Sequence, residues 1–187
     1  MQKRHLLTEI AQTVAFTVIG FYLLQALIVQ PFRVEQTSMR VTFEPGEYVL
    51  VDKISPRLTG FHRGDVVIFH PPESWPSSSD GTPYIKRVIG LPGESVTIGP
   101  DGVRVNGMLL TEDYVYLDGG GDVEEPQEWT LADDELLVFG DHRSNSSDSR
   151  AYGAIPIGSV VGRAVLRYYP LDKISLISPP SYDAAVP

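Results

Sequence analysis

Hydrophobic positions are distributed along this chain in two different ways, one before residue 31 and one after it. Residues 10–29 read IAQTVAFTVIGFYLLQALIV, a run without charged side chains and without the polar stripe of an amphipathic helix. As a helix this run is about 30 Å long, which matches the hydrocarbon thickness of a bilayer. We therefore favour a transmembrane anchor over residues 10–30 rather than a buried core helix.

The flanks of the apolar run predict its processing and its orientation. The run is longer than that of a cleaved secretory signal, and it ends in Val-Gln-Pro-Phe-Arg rather than in a small-x-small cleavage site. Lys3 and Arg4 precede it, although two arginines also follow it. The positive-inside rule thus predicts a single-pass protein of the plasma membrane, with residues 1–9 in the cytoplasm and the remainder outside.

After residue 31 the apolar runs are short, rich in β-branched residues and bounded by turn residues, as is typical of strands. The candidate strands are Tyr48–Ile54, Val66–Phe69, Tyr84–Ile89, Ser95–Ile98, Val103–Val105, Leu136–Phe139 and Ser159–Tyr168. Asp101-Gly102 and Asn106-Gly107 are hairpin-turn signals, so Ser95–Leu110 is expected to form a small antiparallel meander. The predicted fold class is mainly β: an N-terminal transmembrane helix followed by an all-β extracytoplasmic domain over residues 31–177.

Three segments interrupt this β pattern. Residues 71–83 read PPESWPSSSDGTP and are expected to form a loop, in which Trp75 is either an interfacial anchor or cover for a core edge. Residues 95–135 combine the meander with an acidic excursion, which is expected to be a solvated surface. The tail over residues 178–187 is expected to be disordered.

Composition excludes several classes of function. Lys and Arg together number 15 and Asp and Glu 24, and the resulting net charge of −9 argues against a nucleic-acid partner. The absence of cysteine excludes disulfides, thiolate metal sites and cysteine nucleophiles. His142 beside Asp141 is interpreted as a solvated loop histidine rather than part of a catalytic triad, because adjacent residues in one loop rarely orient each other. His62 and His70 have no metal-binding spacing, so no metal or other cofactor is expected.

Lys86 carries the most chemical information. In the strand Tyr84–Ile89, period-two alternation puts it on the face of Tyr84, whereas Arg87 lies on the opposite face. If the face of Tyr84 is buried, Lys86 loses solvation and its pKa falls; if the other face is buried, Arg87 is the buried cation and Lys86 reaches solvent. The pattern leaves both alternatives open.

A lysine of lowered pKa can act as the general base for a serine, and Ser38 is the candidate partner. Because Ser38 follows residue 30 closely, an extended link keeps it within roughly 29 Å of the membrane surface.

Four segments resemble, in order, the sequence boxes of bacterial type I signal peptidases. These are residues 36–39 (QTSM), 63–69 (RGDVVIF), 84–94 (YIKRVIGLPGE) and 140–153 (GDHRSNSSDSRAYG). With the preceding apolar run, the resemblance covers nearly the whole chain up to Tyr169.

The resemblance implies a serine endopeptidase that removes signal peptides from exported preproteins without a cofactor. By position, Ser38 is the nucleophile and Lys86 the general base, and Ser146 orients the lysine amine. The backbone N–H of Ser38 forms half of the oxyanion hole. The substrate is expected to bind as an added β-strand close to the bilayer, with small side chains at the positions one and three before the cleavage site entering shallow apolar pockets.

Further residues of these boxes match supporting positions. Asp148 and Arg150 match a charged pair that supports the site, and Asp141 and Arg143 match structural positions. Gln36 stands where relatives often have a small hydroxyl residue or glycine; its amide can donate the second oxyanion hydrogen bond, but it is longer.

The substrate pocket and one alternative function complete the sequence-based picture. Val41 stands where proline is usual in the family, which is expected to leave the turn less rigid. The pocket candidates, chosen for closeness to the dyad, are Met39, Val41, Phe69 and Tyr84. The alternative is a weakened or inactive relative, acting as a membrane-tethered binding or assembly factor, which the substitution at Gln36 would favour.

Overall fold

The chain begins with a long helix and continues mainly as antiparallel strands. The structure is a computed structural model and describes residues 2–75, 81–119 and 126–182. Within these ranges the elements, in chain order, are α1 (Gln2–Leu27), β1 (Val29–Arg33), β2 (Tyr48–Asp52), α2 (Ser55–Thr59), β3 (Val66–Phe69), β4 (Tyr84–Gly90), β5 (Ser95–Gly99), β6 (Gly102–Val105), β7 (Met108–Leu109), β8 (Gln127–Thr130), β9 (Glu135–Phe139), α3 (Ser149–Tyr152), β10 (Ile155–Pro156), β11 (Val160–Tyr169) and β12 (Ser175–Leu176). The prediction of a mainly β domain is confirmed.

Two antiparallel sheets form the domain. The larger has the order β1-β2-β11-β3-β4-β9-β10, and β12 pairs with β11; the smaller has the order β7-β6-β5-β8. The expected meander is present as β5, β6 and β7. Asn106 and Gly107 have φ of 49° and 85°, as a two-residue turn with a left-handed backbone requires.

Strand β4 occupies the interior of the larger sheet, between β3 and β9, and all of its residues are buried. Its apolar side chains contribute to cores on both faces: Ile85 packs with Val66 and Met39, whereas Val88 packs with Val67 and Phe69. A strand covered on both faces buries both alternating sets of side chains. Consequently Lys86 and Arg87 are both buried, where the alternation pattern had offered one or the other.

The short strands β1, β8, β10 and β12 were not predicted from the sequence. Strand β1 replaces the last residues of the expected anchor, since α1 ends at Leu27 and Val29–Arg33 pairs with β2. The apolar side chains of α1 that the structure describes are exposed, including Phe16 at 74% and Tyr22 at 65%. Among the described residues, no helix combines the length and the apolar character that a bilayer span requires.

The segments between strands settle one alternative that the sequence left open and differ from expectation in two places. Trp75 is cover for a core edge, since it is 3% exposed and packs edge-on against Phe69; residues 76–80 of the same loop lie outside the described residues. In the acidic excursion, of which residues 120–125 are also outside, the Glu112 side chain is 8% exposed and pairs with Arg143 rather than being solvated. In the tail, Tyr182 packs on the core of the smaller sheet, and residues 183–187 lie outside the described residues.

Candidate active site

Ser38 and Lys86 meet at the interior of the larger sheet. Ser38 lies in a turn that follows β1, and Lys86 projects from β4. Lys86 Nζ donates hydrogen bonds to Ser38 Oγ at 2.8 Å and to the carbonyl oxygen of Ile85 at 3.0 Å. Ser38 is 4% exposed and Lys86 is 1% exposed. A hydroxyl and an amine are thus held in contact and largely shielded from water.

Burial dominates the electrostatics of the amine. It lowers the pKa of Lys86 to about 8, because desolvation penalises the ammonium form. The carboxylates of Asp148 and Asp141 oppose this effect, and the charge of Arg150 adds to it. The Tyr84 ring, whose centroid lies 5.3 Å from Nζ, provides part of the surrounding surface.

Two buried ion pairs flank the lysine. Arg87 donates from Nε and Nη2 to the two carboxylate oxygens of Asp141, at 2.8 and 2.6 Å. Arg150 binds Asp148 in the same two-pronged way, at 2.9 and 2.8 Å. Burial raises the pKa of the Asp148 carboxyl, but the hydrogen bond and charge of Arg150 outweigh it and leave that pKa lowered. The Asp148 carboxylate is therefore held ionised beside an amine that is more easily deprotonated than an ordinary lysine.

The partners of these charges were only partly expected. Asp148 and Arg150 pair with each other, as the resemblance implies. Asp141 pairs with Arg87 on β4, and Arg143 pairs with Glu112 from the acidic excursion. The partners in these last two pairs lie 54 and 31 residues apart in the sequence, so no local sequence pattern predicts the contacts.

An open cavity of about 650 Å³ adjoins the dyad. Ser38, Gln36, Tyr84 and Ser146 contribute to its lining. Ser146 Oγ is buried without a hydrogen bond of regular geometry, although it helps to lower the pKa of Asp148. In the part of the chain that the structure describes, Ser146 makes no hydrogen bond to Lys86, whose amine bonds instead to Ser38 and Ile85.

Of the four pocket candidates, Tyr84 alone lines this cavity. Met39 and Phe69 are fully buried members of the two cores that sandwich the sheet, and Val41 points outward at 63% exposure. These three positions were chosen for closeness to the dyad, which does not determine the direction of a side chain. Val41 also has a φ of 80°, a strained conformation for a β-branched residue and one that proline cannot adopt.

The interpretation of His142 as a solvated loop residue is wrong. The residue is 2% exposed, and its Nε2 lies 2.8 Å from a carboxylate oxygen of Asp118. Its Nδ1 lies 3.2 Å from the carbonyl oxygen of Thr37, and its backbone N–H donates to the carbonyl oxygen of Ser38 at 3.0 Å. Sequence reasoning missed these contacts because Asp118 and Thr37 lie 24 and 105 residues away.

The segment that carries His142 also approaches the nucleophile through its backbone. A Cβ on Gly140 would lie 2.5 Å from the Ser38 carbonyl oxygen and would collide with the Ser146 hydroxyl. Glycine is therefore required at this position by space. Within the described residues, no group of three or more His, Asp or Glu side chains is placed to hold a metal ion.

Comparisons with known proteins point to one family. The family model described as "Signal peptidase, peptidase S26" matches residues 7–169. A signal peptidase I of Leptolyngbya laminosa is 34% identical, with 93% of this chain and 85% of that protein covered. A probable signal peptidase I-2 of Synechocystis is 32% identical (91% and 77% covered), and signal peptidase IB of Staphylococcus aureus is 31% identical (92% and 94% covered).

Among solved structures, the chain is similar to a signal peptidase I from Enterococcus faecalis V583. The two are 29% identical, with 55% of this chain and 95% of the other covered and a TM-score of 0.46. The family match extends over most of the sequence and includes all of the segments that meet at the dyad. The chain therefore belongs to the signal peptidase family, peptidase S26, and is a serine endopeptidase.

Proposed function

We propose that this protein is a membrane-anchored endopeptidase that removes N-terminal signal peptides from exported preproteins with a dyad of Ser38 and Lys86. The observation that carries the proposal is the 2.8 Å hydrogen bond between Lys86 Nζ and Ser38 Oγ in a buried setting. A serine hydroxyl is a weak nucleophile until a neighbouring base takes its proton. The buried amine is placed to be that base.

Lys86 acts first as a base and then as an acid. As Ser38 Oγ attacks the carbonyl carbon of the scissile bond, its proton passes to Nζ. The resulting ammonium gives the proton to the leaving amine, the C–N bond breaks, and an ester of Ser38 remains. Lys86 then takes a proton from a water molecule as its oxygen attacks the ester carbon. The bond from that carbon to Ser38 Oγ breaks, and Lys86 returns the proton to Oγ, which regenerates Ser38 and the neutral amine. The lowered pKa, about 8, makes the neutral amine accessible near neutral pH.

The oxyanion hole is assigned to the N–H of Ser38 and the side-chain amide of Gln36. Among the described residues, the Ser38 N–H donates no hydrogen bond, which leaves it available to the substrate. Gln36 is exposed and lines the same cavity, so its amide is free to turn toward a bound carbonyl oxygen. Ser146 is assigned the orientation of the lysine amine, which requires a small shift from its present unbonded position.

The substrate is proposed to bind as an extended strand along the cavity, with its small residues on the signal-peptide side of the scissile bond facing the enzyme. Alternation in a strand directs every second side chain to one side, so residues one and three before the cut enter the same surface. Tyr84 limits the depth available to these side chains, because its ring lines the cavity beside Lys86.

The apolar segment 10–30 is proposed to anchor the enzyme in the membrane with its N-terminus in the cytoplasm. The exposed apolar side chains of α1, such as Ile10, Phe16 and Tyr22, support this because no part of the described domain covers them. Anchoring brings the dyad to the depth at which a signal peptide leaves the bilayer, which raises the effective concentration of substrate. Resistance to extraction with alkaline carbonate, lost when residues 1–28 are removed, would test the anchor.

Cleavage of a preprotein in detergent or lipid tests the peptidase and the dyad together. Wild type should release the mature protein, with the new N-terminus at the signal-peptide boundary, whereas Ser38→Ala and Lys86→Met should lose at least about 1,000-fold in kcat. Ser178→Ala and Lys53→Met are the matched controls and should retain full turnover. Near-normal cleavage by either dyad variant would refute the assignment, and binding of preprotein without product by wild type would favour the non-enzymatic alternative.

A further inference from the structure

Two contacts of His142 reach the two peptide groups on either side of the Ser38 Cα. The imidazole Nδ1 lies 3.2 Å from the Thr37 carbonyl oxygen, while the backbone N–H of His142 donates to the carbonyl oxygen of Ser38 at 3.0 Å. A carbonyl oxygen only accepts hydrogen bonds, so Nδ1 carries the proton in the first contact. His142 thus binds the nucleophile's residue on one side with its backbone and on the other with its ring.

The Thr37 carbonyl and the Ser38 N–H belong to one planar peptide group. In a trans peptide they point in opposite directions, and fixing one fixes the other. A hydrogen bond accepted by the carbonyl also polarises the group and makes its N–H a better donor. A hydrogen bond that fixes the Thr37 carbonyl therefore also fixes the direction of the Ser38 N–H, which is the group assigned to the oxyanion hole.

We propose that His142 is a positioning residue that aims the Ser38 N–H at the substrate oxygen that becomes negatively charged in the transition state. This inference rests on the proposed function, since it needs Ser38 to be the nucleophile. A side chain outside the dyad and its ion pairs thus orients the oxyanion-hole donor through the carbonyl at the opposite side of the same peptide group.

Asp118 holds the imidazole in the required orientation. Its carboxylate lies 2.8 Å from Nε2, so the ring is fixed at both nitrogens. The Tyr116 ring, whose centroid lies 5.0 Å from that of His142, packs against the imidazole. The acidic excursion thereby contributes a carboxylate to the support of the nucleophile turn.

The Thr37 carbonyl has a second donor, which limits the expected effect. The backbone N–H of Arg40 donates to the same oxygen at 3.0 Å from within the turn. Loss of the imidazole contact therefore loosens the peptide without releasing it. Removal of a whole oxyanion donor costs about 100- to 1,000-fold in kcat, so loss of one of two groups that aim it should cost about tenfold.

Two substitutions at His142 separate the two ring contacts. In His142→Asn the amide nitrogen stands where Nδ1 stands, so donation to Thr37 is retained and the Asp118 contact is lost. In His142→Gln the longer side chain reaches the position of Nε2, so the Asp118 contact is retained and donation to Thr37 is lost. Both variants keep the backbone hydrogen bond to Ser38 and both alter a buried site, which makes each the stability control of the other.

The experiment measures steady-state cleavage, by full-length enzyme in detergent, of a preprotein whose signal peptide ends in Ala-x-Ala. His142→Gln should lower kcat about tenfold with KM within about twofold, because an oxyanion contact acts in the transition state rather than in substrate binding. His142→Asn should stay within about threefold of wild type in kcat. A peptide aldehyde, which forms a tetrahedral adduct with a serine, should lose affinity for the Gln variant by about the same factor as kcat.

Equal activity of the two variants, or a loss confined to KM, would overturn the role of His142. Failure of the proposed function has a different signature, namely undiminished cleavage by Ser38→Ala. Thermal unfolding of both His142 variants, followed by circular dichroism, should give similar midpoints; a lower midpoint for the Gln variant that accounts for its activity loss would also overturn the proposal.

Discussion

Arg87 and Asp141 form a buried two-pronged ion pair beside the lysine of the dyad, with N–O distances of 2.8 and 2.6 Å. The guanidinium also donates to the carbonyl oxygen of Gly64 at 2.8 Å, which ties the pair to the turn before β3. The pair joins β4, which carries Lys86, to the segment that carries His142 and Ser146. It thereby fixes the two halves of the site against each other.

Asp141→Asn should destabilise the protein strongly. The substitution leaves the Arg87 charge buried without a counter-ion, which typically costs about 3 to 5 kcal/mol. Urea unfolding should report this loss, and Asp101→Asn, which breaks an exposed pair with Arg104, should leave the unfolding midpoint unchanged. A loss under about 1 kcal/mol for Asp141→Asn would show that the pair is not the structural tie described above.

Lys86→Met should inactivate the enzyme and stabilise it at neutral pH. The pKa of Lys86 is lowered from 10.5 to about 8, so the folded state binds the lysine proton less readily than the unfolded state does. Stability is therefore lost as the pH falls from about 10.5 to about 8, and the deficit below that range is about 3 kcal/mol. Methionine removes this deficit but forfeits two hydrogen bonds, which leaves a net gain of about 1 to 2 kcal/mol.

The gain should depend on pH in a defined direction. It is largest near pH 7 and declines as the pH rises from about 8, where the folded lysine loses its proton, to about 10.5, where the unfolded lysine does. Urea unfolding of wild type and Lys86→Met at about pH 7 and about pH 10 measures the difference, with Lys53→Met as the control that should show no such trend. A variant less stable than wild type at neutral pH would mean that burial of Lys86 carries no cost.

Gly140→Ala should impair activity through the nucleophile turn. The added Cβ would lie 2.5 Å from the Ser38 carbonyl oxygen and against the Ser146 hydroxyl, so the turn or the glycine segment must shift. A displacement of about 1 Å at a reacting group can cost about 100-fold in rate. Gly158→Ala is the matched control, because nothing lies within 4 Å of its added Cβ. Equal turnover by the two variants would contradict the close approach.

Local signals were sufficient for much of the fold. The Asn106-Gly107 turn and the alternating residues around it predicted the meander because both depend on neighbours in sequence. Strand β1 was missed because its Val29 and Phe32 continue the apolar run of α1, and only pairing with β2 distinguishes it. The other missed strands, β8, β10 and β12, are two to four residues long, too short for a periodic pattern.

The site residues were predictable only where residue type and a matching sequence motif identify them. Ser38 and Lys86 were found from residue type and family resemblance, but alternation in β4 could not say whether Lys86 or Arg87 is buried, because that strand is covered on both faces. The burial of His142 was also not predictable from its neighbours in sequence. Its burial depends on Asp118 and Thr37, which the fold brings from distant segments.

Arg150→Gln should raise the pKa of Lys86. The Arg150 charge lowers the pKa of Lys86. Its removal also leaves the Asp148 carboxylate without its ion-pair partner, and the Asp148 charge raises the pKa of Lys86. Both effects favour the ammonium form, so the half-maximum of the pH–activity curve should move upward. Lys173→Met, at a surface ion pair with Glu47, is the control and should leave the curve in place. A downward shift for Arg150→Gln would contradict the electrostatic account of the site.

The pH dependence of kcat/KM for the wild-type enzyme tests most directly whether a neutral Lys86 activates Ser38. An ammonium group cannot accept the serine proton, so activity should fall tenfold per pH unit below the lysine pKa and level off above it. The account predicts a half-maximum at about pH 8. A flat profile between about pH 6 and about pH 10 would contradict it.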